Sequence, residues 1–334
     1  MIELLGFPFM QRALIAALLT GLIAPAIGSY IVQRRLSLLG DGLGHVAIAG
    51  VGLALLTGQQ PIPVAVTVCV AGAVLIEVLR QRGKATGDVG LAILFYGGLA
   101  AGVLMSGFAG GGGASLSQYL FGSLTSVTDG DLIMIGVLAA VVLVFTIGLA
   151  PQLFAVSADE DFARVLGLKV QLYNILVVVL AAVTVTLSMR TVGLLLVSAL
   201  MVVPVAAAQN LVPGFFATLG CAMAIGVAVA VGGAVGSFYL NAAPGGLIVV
   251  LAIAVFLISW PAAAVLRRRR RGPVAIPDTE PELGLPTRHV TTGQHPHTHG
   301  DPDCDHPQVR HGDHVDYLHD GHRHAAHSDH YDEH

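Results

Sequence analysis

Charge is scarce in this chain. Lys, Arg, Asp and Glu make up 11% of the 334 residues and hydrophobic residues 54%, a balance that excludes an ordinary soluble domain. Cysteine is nearly absent: Cys69, Cys221 and Cys304 are scattered, two in apolar runs and one near the end, so neither a disulfide framework nor thiol redox chemistry is indicated. A Walker A loop is missing too. The nearest approach, "RGKATGD" at 82–88, has Gly83-Lys84 without the upstream glycine or the following Ser/Thr, so the chain is not expected to be an enzyme that hydrolyses ATP. The N-terminus lacks a basic region ahead of its apolar stretch and a small-residue cleavage site, so it reads as a first membrane helix rather than a removed signal.

What is present in quantity is apolar sequence in span-sized blocks. A bilayer core about 30 Å thick needs about 20 apolar residues per helix. Eight or nine spans fit, near 13–32, 38–56, 62–80, 88–106, 130–150, 171–189, 192–210, 214–237 and 244–266, with 38–56 and 192–210 the least regular. Basic clusters at Arg34/Arg35, "RQRGK" (80–84), Arg164/Lys169 and "RRRRR" (267–271) fall between alternate spans. The positive-inside rule then gives an outside N-terminus and a cytoplasmic C-terminus in a multi-pass protein of the cell membrane.

Between spans, "SGFAGGGGASLSQYLFGSLTSVTDGD" reads as a flexible outside loop, since no strand precedes its glycines to make a phosphate cradle. Many of the 41 glycines lie inside spans, where small residues let helices approach closely. Pro25, Pro204, Pro213 and Pro244, inside or at the ends of spans, predict kinked or broken helices. "SADEDFARVLGLK" (157–169) has Ser157 and Glu160 in capping-box spacing, acids in its first turn and a closing Gly167, so a short capped helix is predicted. Phe162, Val165 and Leu166 fall on one side of it. It is either an interfacial helix on lipid or a docking helix for a soluble partner. Beyond the arginines, the Pro-, Asp- and His-rich sequence cannot bury enough surface to offset its ordering entropy, and a disordered tail is expected.

"RRLSLLGDGLGHVAIAG" (34–50) holds the one histidine of the membrane part; the other thirteen of 14 follow residue 288. Asp41 and His45 are i and i+4, so on a helix they share a face and can offer an oxygen and an imidazole nitrogen to one ion. Two structural alternatives stand beside this: a satisfied structural pair, or an Asp that caps a helix start about 9 Å inward from Arg34/Arg35 at helical rise.

The same stretch resembles the motif of the membrane subunits of zinc and manganese ABC importers, the ZnuB/TroC type: arginine, a small apolar stretch, Gly-Asp-x-x-x-His, then a small-residue helix. "QYLFGSLTSVTDGDL" (118–132), "TVGLLLVSALMVVPVAAAQ" (191–209) and "NAAPGGLIVVLA" (241–252) resemble three further segments in the same order, so the likeness covers about residues 5 to 266. The resemblance implies an all-α polytopic membrane protein with a cytoplasmic coupling helix, to which hydropathy and composition add about eight or nine transmembrane helices and a disordered C-terminal tail. It divides the chain into a permease domain at 1–266 and a basic, His/Asp-rich tail at 267–334. It places Asp41 and His45 on the metal's route and makes 157–169 the coupling helix, with Asp159, Glu160, Phe162, Arg164, Leu166 and Gly167 as its residues. Pro204 becomes a gating residue. Some zinc-uptake members carry another His in the fourth span, where a rough alignment puts Tyr96. The implied partners are a separate ATPase subunit, an extracytoplasmic metal-binding protein and a second copy in a homodimer, with no nucleic acid. No resident cofactor is implied; zinc or another divalent metal is cargo.

In the tail, His295, His297, His299, Cys304, His306, His311, His314, His319, His322, His324, His327 and His330 stand two or three residues from carboxylates or other imidazoles. Such a segment can wrap borderline divalent ions, and its imidazoles favour zinc over manganese, which prefers oxygen. Manganese or iron import by the same kind of protein is the alternative, as is an ATP-independent carrier with a His-rich sensor. Such a carrier needs acids and histidines in several spans, and between residues 50 and 260 only Glu77 and Asp88 stand near span ends besides the loop acids. A membrane-anchored metal buffer would not need so many spans.

Overall fold

A computed structural model of the chain describes residues 6–82, 87–109, 112–123, 127–189, 192–270, 290–292, 306–311, 314–319, 322–327 and 330–333. The described part of the first 272 residues is helical: α1 (Pro8–Gln33), α2 (Leu39–Thr57), α3 (Pro61–Gln81), α4 (Gly87–Phe108), α5 (Gly112–Phe121), α6 (Asp129–Gly148), α7 (Ala150–Ala158), α8 (Glu160–Val165), α9 (Val170–Ser188), α10 (Leu194–Leu211), α11 (Phe215–Leu240) and α12 (Pro244–Arg270). Seven of these, α1, α2, α3, α6, α9, α11 and α12, are long and apolar enough to cross a bilayer. Shorter apolar segments at Ala92–Phe108 in α4 and Leu196–Leu211 in α10 bring the described apolar helices to the nine segments read from hydropathy.

Local chemistry sets the boundaries. α1 and α3 open with Pro8 and Pro61, whose missing N–H falls where a helix has no internal acceptor anyway. At the start of α6, Thr128 Oγ1 accepts from the Asp131 N–H at 3.2 Å while Asp131 Oδ2 accepts from the Thr128 N–H at 3.0 Å, a reciprocal capping box. α1, α2 and α9 form the buried centre, and α3, α6, α11 and α12 turn most of their apolar surface outward, as lipid-facing helices do.

Three details differ from the sequence reading. The Gly/Ser-rich segment after α4 is helical from Gly112 to Phe121, because Tyr119 and Leu120 lie on a face that packs into the core. α10 runs unbroken through the buried Pro204, which leaves the Leu200 carbonyl without its usual donor. The break falls ahead of it, at Gly193 with φ +86. A side chain at 193 would also meet the backbone of Phe121 and Gly122, 2.6 Å from the Gly122 nitrogen, so glycine is required there twice over.

The second unit, Pro273–His334, carries the third difference. Where disorder is expected, its described residues form five short strands, β1 (Val290–Thr292), β2 (Gln308–His311), β3 (His314–His319), β4 (His322–His327) and β5 (His330–Glu333), in the antiparallel order β1-β5-β4-β3-β2. The register pairs His311 with His314, His319 with His322 and His327 with His330, each across two residues. The sequence between them is Gly-Asp, Asp-Gly and Ser-Asp, which is hairpin chemistry.

Candidate functional site

α2 is glycine-rich along the flank that meets α10: a Cβ at Gly40 would stand 3.2 Å from Ser198 Cβ, and one at Gly44 would stand 3.0 Å from Leu194 Cδ2. These neighbours fix the place of the Asp41–His45 turn along α10. Advancing along α2 from 40 to 44 means retreating along α10 from 198 to 194, so the helices run antiparallel. The turn lies beside the first turns of α10, whose other end is Leu211, about 25 Å away at 1.5 Å per residue. The pair therefore lies beside the N-terminal turns of α10, at the end opposite Leu211. The capping alternative fails, for the N-cap of α2 is Leu38 and no side chain caps it. Asp41 instead occupies the first turn, where the helix dipole favours an anion.

His45 is buried, and its Nδ1 has no hydrogen-bond partner among the described residues. A buried imidazole nitrogen without a partner is costly, and a bound ion or water at that atom would relieve it. The wall on the other side is α4. Phe95 meets the His45 ring edge-on with centroids 3.9 Å apart, whereas Tyr96 is 68% exposed and touches Phe95 instead. The α4 ring at this point therefore belongs to a residue that cannot ligate. One residue is about 100° of helix rotation, so Tyr96 points away from the face that Phe95 turns to His45. Gly98 lets α4 approach, since a Cβ there would lie 2.7 Å from the His45 carbonyl carbon and oxygen. Among the described residues no group of three or more His, Cys, Asp or Glu could hold an ion, so Asp41 and His45 stand as a pair.

The second functional element is α8. Pro151 opens α7, which runs through Ser157 and buries it, so Ser157 cannot be the N-cap predicted from spacing. The cap is Asp159, whose Oδ1 accepts from the N–H of Asp161 at 2.9 Å and of Phe162 at 3.0 Å. The helix closes on Gly167 at φ +79: the Gly167 N–H reaches the Arg164 carbonyl and the Leu168 N–H the Ala163 carbonyl, a Schellman ending. Ala163 packs inward against Val156 and Val170, while Phe162, Val165 and Leu166 are 57%, 84% and 56% exposed. A short helix pinned at both ends and on its inner side presents an apolar patch outward.

Sequence reasoning missed the charged groups behind α8. Arg34, buried at the end of α1, donates to Glu160 at 3.2 Å, and Asn174 of α9 donates to the same oxygen at 3.0 Å. On α3, the buried Glu77 is held by two Arg80 hydrogen bonds of 3.0 and 2.9 Å and by Gln81 at 2.9 Å. Residues 34 and 160 are 126 apart, and no local pattern links them.

Of the tail candidates, His295, His297, His299 and Cys304 lie outside the described residues. His306 is half-buried just before β2, and His311, His314, His319, His322, His324, His327 and His330 stand on β2 to β5.

A bundle of apolar spans, with a polar pair held between two of them and a separate capped helix beside Arg34 and Arg80, defines a polytopic transport permease. The model of the ABC 3 transport family matches residues 6–263, and the chain belongs to that family. It is 35% identical over 261 residues to a probable metal transport system membrane protein of Treponema pallidum, covering 76% of this chain and 96% of that protein. It is 31% identical to the manganese import system permease protein ScaB of Streptococcus parasanguinis, covering 79% and 94%. Among solved structures it is similar to PsaBC from Streptococcus pneumoniae in complex with Fab, with a TM-score of 0.72, 29% identity, and 80% of this chain and 97% of that one covered.

Proposed function

We propose that this permease is the membrane subunit of an ABC importer that carries a divalent transition metal into the cytoplasm, with zinc as its first cargo. The observation that carries the reading is the Asp41–His45 face of α2, closed in by α4 and α10, with a buried His45 nitrogen left unpartnered. One carboxylate and one imidazole form a borderline donor set, and two protein ligands suit an ion that must leave again. Both must be deprotonated to hold it, so uptake falls at mildly acid pH. Pro204, which frees a carbonyl in α10, lets that wall move during gating. In this reading the face carrying α8 and the basic clusters is cytoplasmic, as is the C-terminus. A separate ATPase subunit docks on α8, an extracytoplasmic protein delivers the metal, and two copies of the chain pair as a homodimer.

Manganese is the competing cargo. The ScaB relative is a manganese import permease, whereas the imidazole-rich tail of this chain favours zinc. Uptake measured with zinc, manganese and iron in competition decides between them. The reading fails if the chain and an ATPase accumulate none of the three.

Two further outcomes are expected. Deleting 273–334 leaves uptake intact and lowers the number of ions bound per chain in a metal titration; unchanged stoichiometry would remove the tail from the metal's path. Replacing the exposed Phe162, Val165 and Leu166 together by Ser abolishes copurification of the ATPase while the melting temperature holds, since these side chains contribute little to the fold. If copurification survives the triple replacement, α8 is not the docking element.

A further inference from the structure

The charge cluster behind α8 joins the two functional elements. Glu160 sits in the first turn of α8 and receives three cationic or polar groups: Arg34 at 3.2 Å and Asn174 at 3.0 Å on Oε1, and Arg164 at 3.5 Å on Oε2. Arg34 comes from the other side, its side chain 4% exposed. Its Nη1 is buried without a hydrogen-bond partner among the described residues, and its Nη2 donates to Glu160. Burial, and after it the charge of Arg80, push Arg34 below the ordinary arginine range, while Glu77 and Glu160 act the other way. Separation would leave the buried Arg34 guanidinium without the one side-chain acceptor it has among the described residues, so it follows Glu160, which keeps Arg164 and Asn174.

The chain between Arg34 and the metal-facing turn is stiff. The Arg35 N–H reaches the Val32 carbonyl at 3.0 Å and the Leu36 N–H the Ile31 carbonyl at 3.0 Å, a Schellman ending of α1 with Arg35 itself at φ +57. Leu39 then bonds back to Leu36 at 2.8 Å, and α2 starts at once, with Asp41 in its first turn. A non-glycine residue in the left-handed region is a conformation that the surroundings have to enforce. The link is therefore a tight corner rather than a loose loop.

We propose that the Arg34–Glu160 pair is the connection through which movement of α8 reaches the Asp41–His45 turn, making Arg34 a positioning residue for the transported ion. The proposal rests on the importer reading above and adds a route to it. When the ATPase shifts α8, Glu160 carries the Arg34 guanidinium with it, and the α1–α2 corner passes the shift to Asp41. Asn174 holds the Glu160 carboxylate in line from α9.

The test uses the full chain with its ATPase in vesicles, reading radioactive zinc moved per ATP hydrolysed, ATPase copurification and melting temperature. Glu160→Gln keeps copurification and melting temperature, because Glu160 is partly solvated, and lowers zinc moved per ATP by about tenfold, equivalent to 1.4 kcal/mol of lost coupling. Arg34→Glu loses coupling likewise, and the swapped chain Arg34→Glu/Glu160→Arg recovers most of it, which a merely structural role for either residue does not predict. Zinc per ATP unchanged in Glu160→Gln overturns the proposal. So does a loss that only tracks reduced copurification, which would make Glu160 a docking contact, or a swap no better than the single variants at equal melting temperature. Absence of any ATP-dependent metal uptake by the unaltered chain removes the importer reading, and this proposal with it.

Discussion

Asp41→Asn is expected to cut metal uptake by roughly tenfold to a hundredfold, the range that loss of a contact tuning a metal site produces, while stability falls by no more than the helix-dipole term of about 0.3–1 kcal/mol. The carboxamide keeps the volume and loses the charge, and Asp41 makes no cap bond whose loss would weaken α2. His45→Gln is expected to do the same to uptake. It keeps a polar body against Phe95 and removes the imidazole nitrogen that the structure leaves unpartnered. Uptake by both variants, with melting curves recorded in the same preparation, separates a lost ligand from a lost fold. Normal uptake in either correctly inserted variant means the ion takes another route.

The second large effect concerns two adjacent glycines on α4. Gly98→Ala places a Cβ 2.7 Å from the backbone carbonyl of His45, which no rotamer change relieves. Helix α4 has to back away from α2, at a cost of about 1–3 kcal/mol by analogy with overpacked cores, and the His45 ring loses its fixed wall. Gly97→Ala meets nothing within 4 Å and changes stability by no more than about 0.5 kcal/mol. Thermal melts of the two variants side by side are the check. Equal melting temperatures would show that α4 does not set the position of His45.

The spans were legible because bilayer thickness imposes a length that hydropathy can count, and segments such as 171–189 fall within a residue of α9. The ends of α8 were half legible. Gly167 closes the helix as its chemistry demands, but Ser157 and Asp159 are both good caps, and Pro151 decided between them by starting α7 early enough to bury Ser157. Placement across the bundle was not legible. The distance from Arg34 to Asp41 along the chain does not say which end of α10 lies beside the pair. Phe95 beside His45 is a matter of helix phase, and Arg34 beside Glu160 a matter of tertiary packing over 126 residues. The hairpin chemistry in "HGDH" and "HDGH" was in the sequence and was outweighed by tail composition.

The account comes down to an ion that passes Asp41 and His45 when ATP is spent by another subunit. The most direct measurement loads vesicles carrying the full chain and its ATPase with ATP on the side of α8, then follows radioactive zinc against unlabelled manganese and iron. The account predicts accumulation that needs ATP, that zinc displaces best, and that Asp41→Asn removes. Accumulation that proceeds without ATP, or that the Asp41→Asn chain sustains at the full rate, would contradict it.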